Sequence, residues 1–364
     1  MSETTLHQMF TEHQQSPWLD NLRRNWLHNG ELQAWLDKGV RGITSNPSIF
    51  QKAIEGSEDY TEQFASLLAD GKTVEEAYWG LVVTDIVDAL ALTRSIYDDS
   101  DGLDGYVSVE VDPGLARDQA GTEAAARQLW SEIDEPNLYV KIPATAEGVP
   151  AIQKMIGEKI SVNVTLLFSV DRYRDVMEAY IAGLEAAEGD LSKISSVASF
   201  FISRVDVEVD KRLDEIGGDA AAMKGKAAVA NGKLAYAAFL ETFSGPRWEA
   251  LVERGANVQR PLWASTSTKS DALPDTIYVD ELMGPDTVNT IPDNTLGFFL
   301  DHGTVARTVD ANVDEAMNLL AEVEAAGVDL ADVAVLLEEE GVASFEKAFD
   351  SLLESLEAKA KTLG

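Results

Sequence analysis

Short runs of aliphatic and aromatic residues recur along this chain, separated by longer stretches in which apolar positions return every three or four residues. The runs GVRGITSN (39–46), GYVSVEVD (105–112), LYVKIPA (138–144), ISVNVTLLF (160–168), ISSVASFFI (194–202), RPLWASTST (260–268) and DTIYVDELM (275–283) read as strands. SPWLDNLR (16–23) is a weaker eighth near the N-terminus. Stretches such as TEAAARQLWSEI and DRYRDVMEAYIAGLEAAEG lie between them and carry the apolar stripe of surface helices. Repeated strand, helix, strand order predicts a parallel α/β architecture. Eight such strands in 364 residues favour a closed (β/α)8 TIM barrel over an open sheet. The expected organisation is a single barrel domain over residues 1–364, with additional C-terminal helices from about residue 304. No GxGxxG follows a first strand and no GxxxxGK[ST] occurs, which weakens a nucleotide-binding reading.

Charge narrows the partners. With 29 Lys and Arg against 63 Asp and Glu, the net charge is -34, and nucleic acid is not an expected partner because phosphate backbones are held by clustered cations. Much of the acidity falls in helical stretches such as VLLEEEGVASFEKAFDSLLESLEAKAKTLG, where it is the solvated outer face. An anionic ligand would still need its own local cations, because such a surface repels it beyond about one Debye length, about 8 Å. Cys is absent and the four His, at 7, 13, 28 and 302, form no HExxH-like spacing, so no metal site and no cofactor are expected. No apolar run approaches a membrane span, and MSETTLHQMFTEHQQ has neither the basic nor the apolar region of a secretory signal; a cytoplasmic setting is expected. The 7 Trp and 12 Phe could serve a core or an interface, so the sequence sets no oligomeric state.

In a barrel, polar residues at the C-terminal ends of strands converge on one mouth. Those ends carry Asp20, Thr44, Asn46, Glu110, Lys141, Asn163, Thr165, Ser199, Ser265 and Ser267. Singly each has an ordinary structural use: Thr and Ser cap or turn, Asn46 precedes Pro47, Asp20 could cap a helix, and Lys141 could reach solvent or pair with a carboxylate. Together they form a polar ring around one lysine. Glu110 and Lys141 both interrupt apolar runs one βα unit apart, which puts them on neighbouring strands. The chain offers no nucleophilic Cys, no metal-ligand set and no GxSxG elbow. What remains is an amine: burial disfavours the charged form of a lysine, and a neutral amine can attack a ketone to form a Schiff base. Glu110 and Asp20 are the carboxylates available to move protons for such a reaction.

The segments WLDNLRR, GITSNPSIFQKAI, VSVEVDP, LYVKIPAT, ISVNVTLLFS, ASFFISRVD and, less closely, ASTSTK resemble the transaldolase family, in its longer bacterial branch. That resemblance implies transfer of a dihydroxyacetone unit from sedoheptulose 7-phosphate to glyceraldehyde 3-phosphate, giving erythrose 4-phosphate and fructose 6-phosphate in the non-oxidative pentose phosphate pathway. It further implies Lys141 as the Schiff-base lysine, Asp20 as the acid/base at the hydroxyl whose deprotonation triggers cleavage, and Glu110 with Thr165 as holders of a water. Asn46, Asn163 and Ser199 match positions that bind hydroxyls of the three-carbon unit, and Arg204 matches a phosphate-binding arginine. The seventh strand departs from the pattern: where shorter bacterial relatives have Ser followed two residues later by a second Arg, Ser265 is followed by Ser267, with Lys269 as the nearest cation. Two alternatives are weighed. A fructose 6-phosphate aldolase-like enzyme would release free dihydroxyacetone, but relatives of that kind resemble this chain with Gln at the place of Glu110 and Tyr at that of Phe201. A non-catalytic sugar-phosphate-binding barrel has no need of a lysine buried in a strand.

Overall fold

The computed structural model describes residues 3–363. Eight strands, β1 (Gln15–Leu19), β2 (Ile43–Thr44), β3 (Val107–Glu110), β4 (Leu138–Pro143), β5 (Val162–Leu167), β6 (Ser196–Phe201), β7 (Arg260–Ala264) and β8 (Thr287–Ile291), follow one another around a closed parallel barrel. The strands are rich in β-branched and aromatic residues that suit a pleat buried on both faces. Side chains alternate between the interior and the helical layer. On β4 this sends Tyr139 and Lys141 to the interior, while Leu138, Val140 and Ile142, all fully buried, pack under helices.

Register decides which interior residues meet. Glu110 on β3 pairs with Lys141 on β4, and Lys141 pairs with Asn163 on β5. The floor of the barrel is closed separately. Arg260 donates to Ser16 Oγ at 2.9 Å and to Asp104 Oδ1 at 3.1 Å, Arg41 donates to Asp104 Oδ2 at 2.6 Å, and Tyr106 stacks on Tyr139 at 4.1 Å. Burial alone would push the Asp104 carboxyl up, but the two guanidiniums outweigh it and hold the acid below its ordinary range. Polar groups fully paired at the floor stabilise; those at the mouth are available for chemistry.

Two expectations about the strands need correction. DTIYVDELM is not a strand: its centre is the short helix Ile277–Asp280, and its buried residues Tyr278, Val279, Leu282 and Met283 recur at helical rather than alternating spacing. The eighth strand is instead TVNTI, launched after Gly284-Pro285-Asp286 and ended by Pro292. It closes the barrel against β1 over five residues, Gln15↔Thr287 to Leu19↔Ile291. The weak N-terminal run is β1, shifted so that Asp20 stands just beyond its end.

The region 206–258 supplies the helices Ser203–Ile216, Ala227–Thr242 and Gly245–Val252. After residue 304 come two further helices, Val313–Ala325 and the 34-residue Leu330–Leu363. The last packs against the Pro47–Glu55, Val74–Asp99 and Ser203–Ile216 helices. Among the described residues no helix is long and apolar enough to cross a membrane.

Candidate active site

Lys141 enters the barrel from β4, nearly buried, with Nζ 3.4 Å from Glu110 Oε2 and 3.2 Å from the Ser45 carbonyl. At 3.4 Å the pair is looser than a tight charge-assisted hydrogen bond, about 2.7–2.9 Å. The amine is therefore held in place without being saturated. Burial pushes the Glu110 carboxyl up, and Lys141 partly counters that. The Glu110 oxygen facing the amine and the Thr165 hydroxyl are both buried without a hydrogen-bond partner. Buried polar atoms without a close partner are uncommon in folded proteins, which sets Glu110 and Thr165 apart from the paired groups of the floor.

Asp20 follows β1 and accepts a hydrogen bond from Thr44 Oγ1 at 2.8 Å, while Thr44 Oγ1 also meets Thr290 Oγ1 at 2.6 Å. Desolvation raises its carboxyl above the ordinary value, against the pull of Lys141, the Thr44 hydrogen bond, Arg204 and Lys269. A carboxylate so placed is a better proton acceptor than a solvated one. Asn163, fully buried, donates to Ser108 Oγ at 2.9 Å and accepts from Ser199 Oγ at 2.7 Å. That chain fixes Ser199, which faces the cavity; Asn163, Glu110 and Thr165 stand in the wall and do not line it.

The cavity at the mouth measures about 430 Å³ and is lined by Asp20, Asn46, Lys141, Ser199, Arg204, Ser265 and Lys269 among others. Asn46 has two duties, since its Oδ1 caps the Pro47–Glu55 helix through Ile49 N at 3.0 Å. Arg204 is the second residue of the Ser203–Ile216 helix, with its guanidinium 5.0 Å from the Phe201 ring. Burial lowers its pKa, and the charges of Asp20, Glu340 and Glu110 counter the effect. Ser265 adopts a left-handed backbone, φ 56°, and its hydroxyl meets Ser203 Oγ at 2.9 Å. Lys269 is more exposed and donates to Ser267 Oγ at 2.7 Å; desolvation and then the like charge of Arg204 push its ammonium down.

Among the lining residues not singled out in the sequence are Arg23, Lys52, Thr290 and Phe345. Arg23 and Lys52 lie inside the segments WLDNLRR and GITSNPSIFQKAI, and the need for local cations is the signal that could have found them. Thr290 belonged to an unrecognised strand. Phe345 sits in an ordinary apolar stripe of the last helix, where nothing local distinguishes it from Val342 or Phe349. Among the described residues no three metal-ligating side chains gather. The arrangement can attack a carbonyl with an amine, move protons through two raised carboxyls, and hold an anion with Arg204, Lys269, Lys52 and Arg23.

Comparison with known proteins agrees with this geometry. The profile of the family described as Transaldolase/Fructose-6-phosphate aldolase matches residues 17–356. A transaldolase of Parafrankia sp. (strain EAN1pec) is 51% identical over 345 residues, covering 93% of this chain and 94% of that protein. Transaldolases of Mycolicibacterium paratuberculosis, 51% identical over 356 residues with 96% and 95% covered, and of Thermobifida fusca, 51% over 343 residues with 93% of each covered, are similar in the same way. A match of that extent, over a barrel with its amine and carboxylates in register, shows that the chain belongs to the transaldolase/fructose-6-phosphate aldolase family.

Proposed function

We propose that this chain is a transaldolase that moves a dihydroxyacetone unit from sedoheptulose 7-phosphate to glyceraldehyde 3-phosphate, and that Lys141 carries the unit. The observation that supports it best is the one strand-borne, nearly buried amine at the mouth, 3.4 Å from a buried carboxylate and facing a cavity that also holds Asp20 and the cations Arg23, Lys52, Arg204 and Lys269. Neutral Lys141 attacks the C2 carbonyl of the ketose, and Glu110 with Thr165 steers the water lost when the carbinolamine becomes an iminium. Asp20 takes the proton of the C4 hydroxyl; the C3–C4 bond breaks, its electrons enter the iminium, and erythrose 4-phosphate leaves. The resulting enamine adds through C3 to the acceptor aldehyde, Asp20 returns the proton, and water restores Lys141 as fructose 6-phosphate departs. Asn46, Ser199 and, through Ser199, Asn163 orient the hydroxyls. Arg204, helped by Lys269 and Ser265, takes the phosphate. The cysteine-free composition and charged substrates fit a cytoplasmic setting.

Assay of the purified protein with fructose 6-phosphate and erythrose 4-phosphate tests this reading. Transfer to sedoheptulose 7-phosphate is expected to dominate, and Lys141→Met to abolish it, because no other group supplies the electron sink. Free dihydroxyacetone as the main product, or turnover surviving in Lys141→Met, would reject the assignment.

A further inference from the structure

We propose that Phe345, on the C-terminal helix, decides whether the bound three-carbon unit is handed to an acceptor or lost to water; this rests on the Schiff-base reading above. Phe345 is the one residue of that helix lining the mouth cavity, is 4% exposed, and has its ring centre 6.0 Å from Lys141 Nζ. One turn earlier Gly341 lies against Leu166 and Arg204: a Cβ there would stand 2.8 Å from Leu166 Cδ2 and 3.6 Å from Arg204 Nη1. Leu166, φ 61°, immediately follows Thr165, where the register between β5 and β6 shifts. A single helix face thus runs from the phosphate-side arginine, past the residue beside Thr165, to the amine.

The helix is tied down along its length. Asp332 pairs with Arg212 at 2.7 Å, Glu338 with Arg117 at 2.9 Å, and Lys359 donates to Thr61 Oγ1 at 2.6 Å. Surface pairs of this kind each contribute little. The firmer hold is apolar: Phe349 packs edge-on to Tyr78 at 5.3 Å, and Val342, Leu352 and Leu356 are buried. Phe345 is therefore a fixed roof over the amine.

Its chemical consequence follows from the two fates of the enamine left after cleavage. In transfer, C3 forms a bond to the acceptor carbon. In loss, C3 takes a proton from water to regenerate the iminium, a second water adds at C2, the C–N bond breaks with its electrons on nitrogen, and dihydroxyacetone leaves Lys141 protonated. Only the second fate needs water beside C2 and C3 before an acceptor arrives. An aromatic ring over the amine keeps additional water from the cavity away from C3, so that the water steered by Glu110 and Thr165 serves only steps at C2, and its π face tolerates the iminium charge.

The test is the ratio of free dihydroxyacetone to transferred product from fructose 6-phosphate and erythrose 4-phosphate, read together with borohydride labelling of Lys141. Phe345→Ala should raise that ratio by about tenfold or more, a barrier difference of about 1.4 kcal/mol, while Phe345→Leu, which keeps an apolar cover, should stay within about threefold of the parent. Should the alanine variant not fold, Phe345→Val carries the same test with an expected rise of about threefold or more. A folded, labelled Ala or Val variant with the parent's ratio overturns the proposal. A parent protein that is not labelled at Lys141 overturns the Schiff-base reading instead, so the two failures are distinct.

Discussion

At the scale of single residues, the site is a set of charges that burial would expel unless each has a partner or a task. Lys141 and Glu110 share their desolvation, and removing one leaves the other uncompensated, which for a buried pair costs about 3–5 kcal/mol. Substitutions at either residue are therefore best read by product analysis alongside a folding control. Arg204 gives a cleaner prediction. Its guanidinium is half-buried against Phe201 with no carboxylate paired to it among the described residues, and on the proposed reading its counter-ion is the sugar phosphate. Charge-assisted hydrogen bonds contribute about 1.5–3 kcal/mol, so Arg204→Ala should raise KM for fructose 6-phosphate at least about tenfold. Lys269→Ala should move KM in the same direction but less, since its ammonium is exposed and already held by Ser267. Turnover of unphosphorylated fructose should change little in either. An unchanged KM in Arg204→Ala beside a large rise in Lys269→Ala would put the phosphate on the seventh strand. The sequence revealed Lys141 and Glu110 because a charge inside an apolar run is conspicuous. Phe345, Lys52 and Arg23 escaped because an apolar residue in a helix stripe and a cation in a loop look the same whether or not a cavity lies beside them.

Among the elements, the Ser203–Ile216 helix joins site to scaffold. Arg204 stands in its first turn, and two residues on, buried Asp206 accepts from Ala228 N at 2.7 Å and Tyr278 Oη at 2.8 Å. Burial pushes that carboxyl up to about 6. Below about pH 4 the acid is protonated folded and unfolded; between about 4 and 6 the folded chain keeps the proton that the unfolded chain releases, so stability falls as pH rises through that window and is level above it. The difference is on the order of 3 kcal/mol. Denaturant unfolding of parent and Asp206→Asn from pH 4 to 7 should show the parent losing ground to the variant up to about pH 6 and no further. Parallel curves would mean the carboxyl titrates normally. Asp206 meets Tyr278 because DTIYVDELM is helical, and this is also where pattern reading failed. A run of apolar residues is ambiguous between strand and buried helix when it is short. The true eighth strand, TVNTI, has Thr or Asn at three of its five positions and so resembled a loop. The other seven strands were legible because their apolar runs are longer or clearly bounded.

For the whole molecule, the closed barrel explains why residues from 20 to 345 reach one cavity. Parallel strands point all their C-terminal ends one way, and the last helix crosses over that end. The strand–helix alternation carried this much in the sequence; the path of the last helix did not, because an amphipathic stripe states that a helix packs and not where. The net charge of -34 acts at the same scale. It makes the four cations at the mouth a local exception to an acidic surface. The proposed chemistry turns on one covalent bond. Incubation with fructose 6-phosphate, reduction with borohydride and peptide mapping should find a three-carbon unit on Lys141 and on no other residue. Label on Lys269 or elsewhere, or active protein that takes up no label, would contradict it.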